Sequence, residues 1–301
     1  MAVFALTMNS ASAPALSGTA GSLIAVLDYC LVTTMGWTKP FTGTNLASYK
    51  QPVGTNGMYL AVDDTGSTDA RATGYEVMTT VTAGTGPFPT PVQQSGGGYI
   101  FKSSVANATA RPWAFFSDGK IFHLLISYDS AATAFNLTNN YCGFTFGDFK
   151  SFKSGDVFNT MIAANTGSQN PGALSLTGNS FNSPVNGFYV ARSHTQVGGS
   201  VALSRFSDAA AFGGSQPGNG TNAFPSPIDG GMLFGRSFVG EQSVGRRGSI
   251  PGLWVHGHPY NSLQSADTIA GATDLVGRNF SYWQLGVGAS AVFETTNTWA
   301  T

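Results

Sequence analysis

Apolar residues recur at helical spacing in only one stretch of the chain. Between residues 22 and 32, Leu23, Ile24, Leu27 and Leu31 fall on one face, and that spacing predicts a helix. Ser17 or Ser22 is expected to cap it, and it should stop before Met35-Gly36. The following tract, 36–41, is expected to be extended, because Pro40 disfavours the α region for Lys39. Beyond it the pattern changes to short aromatic and β-branched runs bounded by Gly, Asp, Asn and Pro, which read as strands. They fall at 58–62, 74–81, 99–102, 113–116 and 121–128, and again at 188–192, 232–239, 252–256, 279–287 and 291–294. The runs 113–116 and 121–127 are joined by Ser117-Asp118-Gly119-Lys120 and predict a hairpin, since Asp-Gly suits the positive φ of a tight turn.

The texture shifts after Gly155. Residues 164–187 and 213–231 are polar, Gly-, Pro- and Asn-rich stretches on either side of the strand at 188–192, and loops of that length usually bind something or order on assembly. The reading is a mainly β protein: sandwich-like antiparallel sheets in two domains, with one N-terminal helix and long Gly/Pro/Asn-rich loops. A boundary near residue 155 separates 1–155, the helix plus a β domain, from 156–301, a loop-rich β domain. No repeat of 20–50 residues is visible, which argues against solenoids and propellers.

Composition narrows the function classes. Of 301 residues 42% are hydrophobic, enough for a core, while only 10% are charged against roughly 25% in an average chain. Glycine (39) and proline (14) are in excess and glutamate occurs only at 76, 241 and 294, which excludes long charged surface helices and coiled coils. A net charge of -1, with no basic cluster beyond Arg246-Arg247, provides no field for a phosphate backbone, so no nucleic-acid partner is expected. Cys30 and Cys142 cannot make a disulfide framework or a cysteine zinc site. The longest apolar run, 23–32, is broken by Asp28 and falls short of the roughly 20 residues that span a bilayer, so no membrane insertion is expected. The N-terminal MAVFALTMNSASA has no basic n-region and reads as mature sequence rather than a signal peptide.

Several motifs suggest chemistry. Residues 60–68, LAVDDTGST, run from an apolar strand into Asp-Thr-Gly, as at the active site of pepsin-like proteases, but that chemistry needs a second aspartate sharing one proton, and no second Asp-Thr/Ser-Gly exists. Asp63, Asp64, Gly66 and Asp69 are therefore read as a turn between strands, and they also lack the pattern of a calcium loop. His256-Gly257-His258 would place two imidazoles on one face of a strand, yet no third ligand is evident, and His123 and His194 stand alone. There is no Gly-x-Ser-x-Gly elbow, and neither Gly96-Gly97-Gly98 nor Gly245-Arg246-Arg247-Gly248 is followed as a phosphate cradle must be. Sequons at Asn107, Asn136, Asn219 and Asn279 are no more than an Asn/Ser/Thr-rich chain gives by chance. The 22 Phe, 10 Tyr and 5 Trp exceed the needs of one core, and aromatics anchor interfaces and stack on sugars alike.

A series of short segments, in order, resembles a family of virion structural proteins of tailed bacteriophages. They begin with Gly36-Trp37-Thr38-Lys39-Pro40-Phe41-Thr42-Gly43-Thr44-Asn45, Met58-Tyr59-Leu60-Ala61-Val62-Asp63-Asp64, Ala70-Arg71-Ala72-Thr73-Gly74-Tyr75-Glu76 and Thr85-Gly86-Pro87-Phe88-Pro89. They continue with Ala110-Arg111-Pro112-Trp113-Ala114, Phe146-Gly147-Asp148, Ser154-Gly155-Asp156, Gly248-Ser249-Ile250-Pro251-Gly252-Leu253-Trp254 and Gly277-Arg278. The resemblance implies a component of the virion, assembled in the bacterial cytoplasm, with copies of itself and other virion proteins as partners. It implies no enzyme and carries over no catalytic, cofactor-binding or metal-binding residue, and no cofactor. Low charge and many aromatics suit a subunit whose surface is consumed by neighbours, which favours a tail, neck or baseplate position over head decoration. The competing expectations are a module that binds a host-surface glycan or receptor, and a cell-envelope hydrolase, which would need a carboxylate pair that the sequence does not advertise.

Overall fold

In a computed structural model of the chain, the residues described are 2–132, 141–166, 187–198, 203–207, 228, 234–241, 244–256, 263–284, 290–296 and 298–299. The protein is mainly β, with every strand pairing antiparallel and one short α-helix, Ser22–Leu27. Most of the polar stretches at 164–187 and 213–231 lie outside the described residues.

Among the described residues the strands form three large sheets and one two-stranded pair. The central sheet runs in the spatial order Phe4–Thr7, Trp113–Ser117, Ile121–Ser127, Tyr141–Asp148, Thr160–Ala163 and Phe188–Val190. Its first hairpin is the one expected: Ser117 pairs with Phe122 and Trp113 with Ile126. Gly119 takes φ 87°, and the Asp118 carboxylate accepts the N–H groups of Lys120 and Ile121. The N-terminal sheet orders Thr38–Gly43, Leu46–Lys50, Tyr59–Asp63, Asp69–Met78 and Gly84–Phe88, with Gly98–Phe101 also on the long strand Asp69–Met78. The C-terminal sheet orders Leu203–Ser207, Phe234–Glu241, Gly245–His256, Ser290–Glu294, Asn279–Gln284 and Thr268–Ala270, and Lys150–Ser151 pairs with its longest strand.

The central sheet is buried on both faces, so its strands lose the polar alternation of a half-exposed sheet. One face, carrying Phe115, Phe122, Leu124, Phe144 and Phe146, packs with Leu23, Val26 and Leu27 of the helix and with Tyr49, Leu60 and Phe88 of the N-terminal sheet. The other carries Ala114, Phe116, Leu125, Met161 and Val190 and packs with Val239, Ile250, Leu253 and Phe293 of the C-terminal sheet. Phe116 and Phe293 stack with ring centres 4.5 Å apart. Residue 155 lies in the connection between Tyr141–Asp148 and Thr160–Ala163, which pair side by side in the central sheet.

The helix differs from its expected form at both ends. It begins where expected, but its cap is neither Ser17 nor Ser22: Gly21 stands at the N-cap with φ 82° and offers no side chain. The Ser22 hydroxyl donates instead to the carbonyls of Ser17 and Thr19. After Leu27 the helix widens into a π-helical turn over Asp28–Thr34, and Gly36, at φ 71°, lets the chain turn away.

Candidate functional site

Asp64 follows the strand Tyr59–Asp63 and is fully buried. One carboxylate oxygen accepts the N–H groups of Leu23 at 2.8 Å and Ile24 at 3.2 Å, and so caps the helix from 40 residues away, where the helix's own sequence provides no cap. The other oxygen takes the ammonium of Lys102, itself fully buried, which also donates to the carbonyls of Thr19 and Gly66 at 2.9 and 2.8 Å. Burial pushes the Asp64 carboxyl above its ordinary value, against the pull of Lys102 and the two helix N–H groups. Its neighbours are a lysine and two backbone amides rather than a second carboxylate, and no face of it reaches solvent. Asp63 and Asp69 bound the turn, and Asp63 accepts the N–H and hydroxyl of Thr65. The Asp-Thr-Gly stretch is thus a turn, as the sequence indicated, but one that also ties helix, N-terminal sheet and the segment after Gly98–Phe101 together.

Several other charged residues are likewise built into joints. Glu76 receives two 2.6 Å bonds from Arg192, and Gly86, at φ 62°, leaves room beside Glu76 that a Cβ would fill. Arg247 is buried against Asp156 and 3.5 Å from Glu241, while Glu241 accepts from the backbone and ring of His194. Arg278 pairs with the buried Glu294. Buried Arg111 donates to Ser103 at 2.9 Å and to Asn107 at 2.8 Å. Trp37 and Trp113 donate their indole N–H groups to the carbonyls of Gly119 and Pro14.

Two of the grooves lined by described residues bear on function. The larger, about 640 Å³, lies where the loop after Leu46–Lys50 meets the tips of the central hairpins, with Asn56, Lys120, Lys150, Lys153, Val157 and Trp299 among its walls. Asp148 stands at its floor and accepts from Thr160 at 2.6 Å, Asn56 N–H at 2.8 Å and Gln51 at 2.9 Å. Burial raises its carboxyl above the ordinary value, opposed by those three bonds and by nearby Lys120. A smaller hollow of about 250 Å³ on the outward face of the N-terminal sheet is bordered by Asp63, Arg71, Tyr75 and Pro87. There the Arg71 guanidinium lies 3.3 Å over the Tyr99 ring and donates to the Gly97 carbonyl at 2.9 Å.

Among the described side chains, His123, His194, Cys30 and Cys142 do not converge. His256 ends the strand Gly245–His256, and His258, with the sequons at Asn136 and Asn219, lies outside the described residues. His123 is fully buried between Thr145 and the Pro251 carbonyl, each 2.9 Å away. Because a carbonyl only accepts, Nε2 carries a proton and donates it to Pro251. Cys30 and Cys142 are free and buried. Burial pushes the Cys142 thiol up to about 12, which makes it a poor nucleophile. Among the described residues no group of three His, Cys, Asp or Glu side chains is placed to hold a metal, and no helix is long and apolar enough to cross a membrane.

Sequence reasoning did not find the lysine-lined groove. Lys120 comes from a hairpin turn, while Lys150 and Lys153 follow the strand Tyr141–Asp148; no motif links them, and only strand pairing brings them together. No protein-family model matches the chain, and no curated protein matches its sequence.

Proposed function

We propose that the protein is a structural subunit of a tailed-phage particle that holds its place through protein–protein contacts rather than by catalysis. The observation that carries this reading is where the charged groups of the segments quoted for the resemblance go: Asp64, Glu76, Arg111, Asp156 and Arg278 are all engaged in buried or half-buried joints between elements. The surface adds support, since Val53, Val92, Val276, Phe152 and Val157 are 98, 97, 73, 56 and 55% exposed, and apolar side chains presented on loops suit contacts with neighbours. A tail, neck or baseplate position is favoured, because a subunit enclosed on several sides needs less solubilising charge than one decorating the outside of a head. Particles of the encoding phage, separated into heads and tails, should yield the chain by mass spectrometry in the tail fraction. Recovery with heads alone would move it to head decoration, and absence from purified particles would overturn the structural role.

A further inference from the structure

Many charges of this chain stand singly outside its ion pairs, but three lysines share one groove. Three of its six lysines, Lys120, Lys150 and Lys153, line the 640 Å³ groove. Neither Lys120 nor Lys150 forms an ion pair with a described residue, and Lys153 reaches only the His194 carbonyl. Of the three acids in the groove, Asp156 is neutralised by Arg247 and burial disfavours charge on Asp148, which leaves the Asp118 carboxylate, bound to the N–H groups of its own hairpin turn, against three lysines. Apolar side chains accompany the lysines, with Val157 in the wall and the exposed Val53 and Phe152 next in sequence to wall residues Gly54, Ser151 and Lys153.

The complement is on the same chain. Among the described residues only two carboxylates are exposed, Asp63 and Asp274. Asp63 is occupied by Thr65. Asp274 stands on the single 3₁₀ turn Thr273–Leu275, two residues before Val276, which is 73% exposed. The turn is stiffened by Leu275 N–H donating to the Ala272 carbonyl at 2.9 Å and Arg278 N–H donating to that of Leu275 at 3.0 Å. It presents one carboxylate and one aliphatic side chain, matching in miniature the lysines and valine of the groove.

We infer that the groove takes the Asp274–Val276 turn of a second copy of this chain, the carboxylate between Lys120 and Lys150 and the valine against Val157. This rests on the reading of the protein as an assembling subunit and names one of its contacts. Coulombic pairing of partly desolvated side chains sets register and orientation here, while the exposed valines supply apolar area. The contact is therefore sensitive to ionic strength.

Sedimentation velocity of the purified full chain tests this. Self-association is expected at low salt, weakened roughly tenfold by Lys150→Glu or by Asp274→Lys, each with an unchanged far-UV spectrum. Mixing the two variants should restore it, because the reversed charges then face each other. A second arm mixes Lys150→Cys protein with Asp274→Cys protein under mild oxidation; an intermolecular disulfide between the two is expected, since native Cys30 and Cys142 are buried. A monomer at all concentrations, association indifferent to both charge reversals, or no mixed disulfide would overturn the contact. Particle fractionation reads the broader role separately, so either reading can fail while the other stands.

Discussion

Asp64 and Lys102 are each excluded from water, and a change at one leaves the other as an uncompensated buried charge. Asp64→Asn is expected to lower unfolding free energy in denaturant by about 3–5 kcal/mol. Adding Lys102→Met should return part of that loss, and strictly additive losses would show that the two groups are not coupled. Asp148 gives a pH signature instead. Its folded-state carboxyl is raised by burial, so the folded protein binds that proton more tightly than the unfolded chain does. The resulting stabilisation is complete below the ordinary carboxylate value and disappears as pH rises through the raised folded value. Measured against Asp148→Asn, which cannot titrate, the wild type should lose relative stability as pH rises from the ordinary carboxylate value through the raised folded one; parallel stability curves would show that Asp148 does not carry the shift.

Elements were legible in the sequence where their pattern was local. The hairpin Trp113–Ser117 with Ile121–Ser127 announces itself through Asp118-Gly119 between two apolar runs, and the structure keeps it with that register. The strand Tyr141–Asp148 does not, because Gly143 and Gly147 read as breaks, yet all eight of its residues are buried. Gly147 is there for space: it sits at φ 138° against the Lys120 carbonyl and Ile121, where no Cβ fits. The helix shows the opposite limit. Its apolar face is plain in Leu23, Ile24, Leu27 and Leu31, but its cap comes from Asp64, at a separation no local capping pattern can encode.

The whole molecule is organised by a central sheet whose two faces both lie inside cores. Removing either neighbour would strand a row of Phe, Leu and Ile in water, at roughly 25 cal/mol for each Å² exposed. The three sheets are therefore expected to unfold together, with a single transition seen alike by tryptophan fluorescence and far-UV circular dichroism. The indole reporters sit on both sides, Trp37 with the N-terminal sheet's core and Trp283 with that of the C-terminal sheet. Two separated transitions, with fragments stable after cleavage near residue 155, would instead establish independently folding halves.

By itself the sequence determined the class: alternating aromatic and β-branched runs, glycine- and proline-rich turns and scarce charge leave little but antiparallel sheets with one short helix, because each of those signals acts within a few residues of itself. It also argued against a paired-aspartate centre within one chain, since the missing second Asp-Thr/Ser-Gly is visible in one dimension. The tertiary structure alone decided the use of the polar groups. Whether a carboxylate is a turn residue or a buried strut, and whether three lysines scatter or share a groove, depends on which strands become neighbours. Those pairings join residues 40 to 116 positions apart, as Asp64 does with Ile24 and Glu76 with Arg192, and they follow from burying both faces of one sheet rather than from any local pattern.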